Sequence, residues 1–305
     1  MYAAPPEMTA ELFARLPESM AGDPARSHWA QNQHPGVKLR CFLEGPSFDR
    51  DGNLWVTDIP YGRLFRLSSE GEFETMAQYD GEPNGLKFHK DGRGFIADHA
   101  NGIMVYDPKS GKVEPFLTRP NMERFFGCND LVFAANGDLY WTDQGQSGLQ
   151  NPRGRLWRLR TDGTLDCLLD NIPSPNGLVL NKAENQVLVA VTRANAVWRV
   201  RFFPDGRTVA KSGTFIQMSG GNGPDGMAID DEENLAVAHV GLGSVWLFNA
   251  IGEPILRIRA PEGLHTTNIA YGGPDNRWLY FTESHTGSVY RARVDVPGRL
   301  MYGQM

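Results

Sequence analysis

Cysteine is scarce in this 305-residue chain: there are three, Cys41, Cys128 and Cys167, far apart and odd in number. No C-x-x-C pair occurs, so the sequence supports neither a disulfide framework nor a thiolate zinc site. No run of Lys or Arg stands out and the net charge is a modest −6, so nucleic acid and an anionic membrane surface are not expected partners. No stretch is long and apolar enough to span a membrane. The opening MYAAPPEMTAELFARLPESM lacks the basic start and apolar core of a signal peptide, and a reducing cytoplasm is the expected location. No G-x-S-x-G element occurs, so an acyl-serine mechanism has no support.

Turn formers are abundant instead. Thirty-four glycines and twenty prolines punctuate short apolar runs along the chain, a pattern of many turns and short strands. Residues 1–36 read differently: TAELFARLP predicts a short helix with Thr9 as N-cap and Glu11 in its first turn, followed by the loop-like AGDPARSHWAQNQHPG.

From Glu44 onward a unit recurs: EGPSFDRDGNLWVTD from Glu44, NGLKFHKDGRGFIAD from Asn84, NDLVFAANGDLYWTD from Asn129, NGLVLNKAENQVLVAVT from Asn176, DGMAIDDEENLAVAHV from Asp225 and NIAYGGPDNRWLYFTES from Asn268. Each opens on an acid or amide, runs into an apolar strand, turns, and returns. The starts are 40 to 49 residues apart, the period of a propeller blade of about four strands. The expected fold is all-β: a six-bladed β-propeller over 37–305 behind a short N-terminal extension, 1–36, partly helical or loop. KLRCFL at 38–43 and the tail RLMYGQ compete as the strand that closes the ring.

In such a ring the first strand of each blade lines the central channel, so six side-chain oxygens, on Glu44, Asn84, Asn129, Asn176, Asp225 and Asn268, meet at one mouth. Asn, Asp and Gly before a strand are also ordinary turn formers, but two acids brought together need a positive charge between them. Carboxylates and amides without His or Cys suit a hard ion such as Ca²⁺, Mg²⁺ or Mn²⁺. The ends of the second strands reach the same rim and bring Asp58, Asp98, His99, Asp143, Gln144, Arg193, His239 and His285. Trp29 and two histidines in SHWAQNQHPG suit a cover over the mouth.

EGP at Glu44, CND at Cys128–Asp130, PNG at Pro175–Gly177 and PDG at Pro224–Gly226, in this order on six repeats, make residues 44 to about 292 resemble the senescence marker protein / gluconolactonase / luciferin-regenerating enzyme family, with similarity to diisopropyl fluorophosphatase. The resemblance implies a six-bladed propeller with one divalent metal at the channel mouth. Glu44, Asn176 and Asp225 would be its core ligands, and Asn129 a fourth or a substrate contact. Ca²⁺ is the first expectation; relatives differ in metal, and Mg²⁺, Mn²⁺, Zn²⁺ and Fe²⁺ stay open. The implied substrate is a small-molecule lactone, with Asn129, Asn84, Arg193, His99, His239 and Asn268 as its contacts.

Two departures stand out. Animal members carry an Arg two residues before the Asn of ND, where this chain has Gly127, leaving Arg124 or Arg193 to replace it. The fluorophosphatase has a second, deeper metal, but its ligand positions fall on Ala228 and Ala270 here, so one ion is expected. Asp225 is the expected general base, with His99, His239 or His285 as rivals. Asp130, where most repeats have Gly, is expected to pin the adjacent loop. The rival functions are a phosphotriester or fluorophosphate hydrolase and a propeller that only binds a ligand; a strictosidine-synthase-like propeller lacks this ligand set. The oligomeric state is left open.

Overall fold

The computed structural model describes residues 3–305. Six sheets stand in a ring, five of them four-stranded and one five-stranded. Their innermost strands are Leu43–Phe48, Pro83–Phe88, Cys128–Phe133, Pro175–Leu180, Gly223–Ile229 and Thr266–Gly272, which begin blades one to six. Each inner strand neighbours the next, and the sixth returns to the first, so the ring is closed. The fold is a six-bladed β-propeller.

The apolar core lies between blades rather than in the channel. Phe65, Val56, Leu43 and Val289 pack in the cleft between blades one and six, and Trp141, Leu131, Ala97 and Ile103 in that between blades two and three. Alternation along each strand puts one apolar row on either face, and both faces are covered by neighbouring blades, so the central strands are buried throughout.

The N-terminal segment differs from its sequence reading. Glu11–Arg15, expected as helix, is a strand antiparallel to Ser288–Arg293, with Glu11 opposite Arg291 and Arg15 opposite Ser288. Blade six has only three strands of its own, and an unpaired edge is a stronger demand on TAELFARLP than its helix propensity. Just before it, Glu7–Thr9 pairs in parallel with Pro254–Arg259 as a fifth strand on blade five. The chain's start therefore ties the last two blades together. Neither expected closing strand is used: 38–43 runs directly into blade one, with Leu39 and Phe42 buried under Trp29. Arg299, Met301 and Gln304 of the C-terminal tail face the far end of the channel instead. The extension does contain a helix, His28–Gln33, whose N-cap Ser27 Oγ accepts from Ala30 N at 3.1 Å. No described helix is long and apolar enough to cross a membrane.

Candidate metal and substrate site at the channel mouth

Every inner strand slips register against its neighbour at the same place: between Glu44 and Ser47, Pro83 and Leu86, Cys128 and Leu131, Pro175 and Leu178, Pro224 and Met227, and Thr266 and Ile269. Such a bulge frees the mouth residues from the ladder and turns them toward the axis. The next blade is held against this irregular backbone by hydroxyls. Thr57 Oγ1 donates to Asn84 O at 2.6 Å, Thr142 Oγ1 to Asn176 O at 2.7 Å and Thr192 Oγ1 to Pro224 O at 2.8 Å.

The register arranges the polar residues in two layers. Glu44, Asn84, Asn129, Asn176 and Asp225 form the upper one and line a cavity of about 520 Å³ at the mouth. The sixth upper position is Thr267, not Asn268. Asn268 falls one residue deeper, at the position occupied by Gly45, Gly85, Asp130, Gly177 and Gly226, and does not line the cavity. There its Nδ2 donates to Glu44 Oε2 at 2.9 Å and to Asp130 Oδ2 at 3.2 Å, forming a floor under the upper layer. The glycines make this floor possible: a Cβ on Gly85 would stand 2.4 Å from Asp130 Oδ1, and one on Gly226 2.1 Å from Asn268 Oδ1. Asp130 thus reaches across the channel rather than pinning a loop. Counting back two residues from the first core residue of each strand (Leu86, Leu131, Leu178, Met227, Ile269) selects Thr267; matching acids and amides alone selects Asn268.

Three oxygens of the upper layer, Asn84 Oδ1, Asn129 Oδ1 and Asp225 Oδ1, are buried without a hydrogen-bond donor. Asn129 is oriented from behind, since its Nδ2 donates to Gln144 Oε1 at 3.2 Å while Gln144 Nε2 donates to Ser174 Oγ at 2.8 Å. Burial pushes the Glu44 carboxyl up to about 7, with Asp130 adding to the shift and Gly45 N–H, Asn268 and Lys87 opposing it. Asp225 is pushed well above the usual carboxylate range by burial and by the charges of Glu44 and Asp130, against a hydrogen bond from Asn176 and the Arg193 charge. Orphaned acceptors beside carboxylates that resist ionisation fit a hard dication, which supplies the missing positive charge to an all-oxygen donor set. Among the described residues no group of three His, Cys, Asp or Glu is arranged to hold an ion; the upper layer has two carboxylates, with amides at three of its other positions.

The rim residues divide. His99 and Arg193 line the cavity. His99 stands over Gly127, where φ is +148° and a Cβ would lie 2.4 to 2.8 Å from the imidazole, so the imidazole fills the volume of the missing side chain. Burial lowers the His99 pKa, with Asp98 and Asp143 opposing. Arg124 faces a separate pocket beside Asn101 and Thr118. His239 does not reach the cavity: it is 1 % exposed, with Nε2 2.9 Å from Gly220 O. Asp58 and Asp143 are brackets, accepting from Phe42 N at 2.7 Å and Gly127 N at 2.8 Å while paired with Arg63 and Arg155. Asp98 accepts from Tyr79 Oη at 2.7 Å and from three backbone N–H groups.

One wall comes from the N-terminal segment. Trp29, Gln33, His34 and Phe42 line the cavity beside His265. Trp29 lies 5.0 Å from Phe42 and 5.4 Å from His34, ring to ring, and His34 packs on His285, which is stacked on His265. Burial, followed by the charges of His265 and His34, pushes His285 down to about 4, and burial lowers His34 and His265 as well.

Residues 42–299 match the model of the SMP-30/Gluconolactonase/LRE-like region. The chain belongs to this family. Lactonase drp35 of Staphylococcus haemolyticus is 33 % identical over 247 residues, 76 % of this chain and 73 % of the relative. Among solved folds, the calcium-binding protein regucalcin from Agrobacterium tumefaciens superposes with a TM-score of 0.77 at 22 % identity, covering 98 % of each chain. A gluconolactonase from Xanthomonas campestris gives 0.73 at 18 % identity, covering 98 % of this chain and 99 % of that one. These two likenesses show the propeller; the family rests on the sequence matches.

Proposed function

We propose that the protein is a metal-dependent hydrolase that opens the ring of a small lactone at this mouth. One divalent cation, Ca²⁺ before Mg²⁺, Mn²⁺, Zn²⁺ or Fe²⁺, would be held by Glu44, Asn176, Asp225 and Asn129. The observation that carries the reading is the convergence of three orphaned oxygens, from Asn84, Asn129 and Asp225, on one cavity. A relative named lactonase and membership of the SMP-30/Gluconolactonase/LRE-like family support the reaction class.

When bound, a hard dication supplies Lewis acidity toward the lactone carbonyl oxygen. Asp225 takes the proton of the attacking water, a role suited to a carboxylate fixed beside the reacting carbon. Water oxygen bonds to the carbonyl carbon, the ring C–O bond breaks, and the ring oxygen leaves as a hydroxyl by taking that proton back from Asp225. His99 and Arg193 meet substrate from blades two and four, Asn84 from beside them, and the Trp29–His34–His265 wall bounds it on the opposite side.

Proton release on a panel of sugar and aliphatic lactones tests this, with chelator-treated protein compared with protein reloaded with each ion. Hydrolysis should vanish on chelation and return with one ion. Binding of an ion without acceleration of any lactone would refute the reading; faster cleavage of a phosphotriester than of any lactone would transfer the site to that chemistry.

A further inference from the structure

Lys87 is the one charged residue in its ring of equivalent positions. Behind the bulges, the inner strands of the other blades carry Ser47, Val132, Val179, Ala228 and Ala270 there. All six line a small interior cavity of about 30 Å³ below the mouth, and the small Ala228 faces Lys87 from the opposite blade. The Lys87 side chain is only 13 % exposed. Its Nζ donates to Leu86 O at 3.1 Å and stands 3.9 Å from Asp130 Oδ1. Asp130 is joined through Asn268 to Glu44, and both bear electrostatically on Asp225.

Three carboxylates are therefore buried in contact with one another's fields, and a single interior ammonium lies beneath them. Arg193 sits on the exposed rim, where solvent screens it. Arg299, at the far end of the channel, is committed to Glu184 at 2.8 Å and to the carbonyl of Asn181 at 2.7 Å. An apolar residue would pack this position as well as it does in four other blades, so the charge calls for an electrostatic reason.

We infer that Lys87 is a fixed internal counter-cation of the mouth: it offsets one of the three carboxylates and leaves two negative charges, matched to one divalent ion. Lys87 is a positioning residue that touches no substrate. The inference rests on reading the mouth as a cation site. Its opposite face is equally specific, because the same ammonium repels the ion above it and keeps affinity below what three unopposed carboxylates would give.

Lys87→Met removes the charge and keeps most of the stem; Lys87→Arg keeps the charge. Ca²⁺ binding by calorimetry and melting of chelated protein are measured for both variants and the wild type. At an effective dielectric near 20, loss of a unit charge within a few ångströms of the acid layer should tighten Ca²⁺ binding by about tenfold or more. Chelated K87M should melt below the wild type, and K87R should match the wild type in both readouts. Equal affinity and equal melting of K87M and wild type would overturn the inference, as would K87R behaving like K87M. If the wild type binds no divalent ion, the cation reading of the mouth fails, and the melting order of the chelated proteins still decides the role of Lys87.

Discussion

Replacing Glu44 by Gln should make the metal-free protein more stable and the metal-loaded protein less so. Glu44 Oε2 accepts two hydrogen bonds, from Gly45 N at 2.9 Å and from Asn268 Nδ2 at 2.9 Å; an amide oxygen can accept both. The substitution therefore removes charge and little else. Burial raises the carboxyl from 4.5 to about 7. The folded state holds this proton more tightly than the unfolded chain does, so metal-free stability falls as pH rises from 4.5 through about 7, and the full penalty stands above that. At 1.36 kcal/mol per unit the ceiling is about 3 kcal/mol. In a chain of this length that is a shift of a few degrees in melting temperature. Calorimetry in chelator at pH 8 should place E44Q above the wild type, with the gap closing toward pH 4.5. The lowered histidines, His34, His99, His239, His265 and His285, destabilise both proteins alike on acidification and cancel in the difference. Excess Ca²⁺ should reverse the order, because an ion that binds only the folded state stabilises in proportion to ln(1 + [L]/Kd) and E44Q replaces one of the two charged ligands by a neutral amide, which raises Kd. E44Q melting below the wild type in chelator at pH 8 would refute the charge-burial reasoning.

Asp225→Asn should cut kcat by about 10²–10⁴-fold, the range for loss of a general base, without lowering the melting temperature of chelated protein, as proton release and calorimetry would show. Trp29→Ala should raise KM about fivefold or more with kcat nearly unchanged, because Trp29 contributes a wall and no reacting group; a fall in kcat alone would mean that this wall acts by excluding water. Deleting residues 1–15 should lower the melting temperature and promote association on size-exclusion chromatography, since Ser288–Arg293 would become an open edge.

The repeats were legible because every blade repeats the same two-residue alternation and turn chemistry, and six copies outvote any local ambiguity. The upper layer of the mouth was legible for the same reason in five blades. The sixth was displaced by one residue because Thr-Asn replaces the pair that elsewhere opens on an acid or amide, usually followed by Gly, and chemical likeness pointed to Asn268 where the hydrophobic register pointed to Thr267. A one-residue slip in a strand turns a side chain to the other face; at a bulge it moves the side chain down one layer. Here that step separates a residue that lines the cavity from one that braces Glu44 and Asp130. The N-terminal strand was illegible for a different reason. Glu11–Arg15 has no local preference for extended structure, and what makes it a strand is the vacant edge of blade six, nearly 280 residues away in sequence. The same distance hides the aromatic wall, since nothing near Trp29 in the sequence indicates that it will pack against His34 and Phe42 beside His265 and His285. Properties that depend on what each blade does to itself could be read directly; those that depend on how the ring closes required the ring.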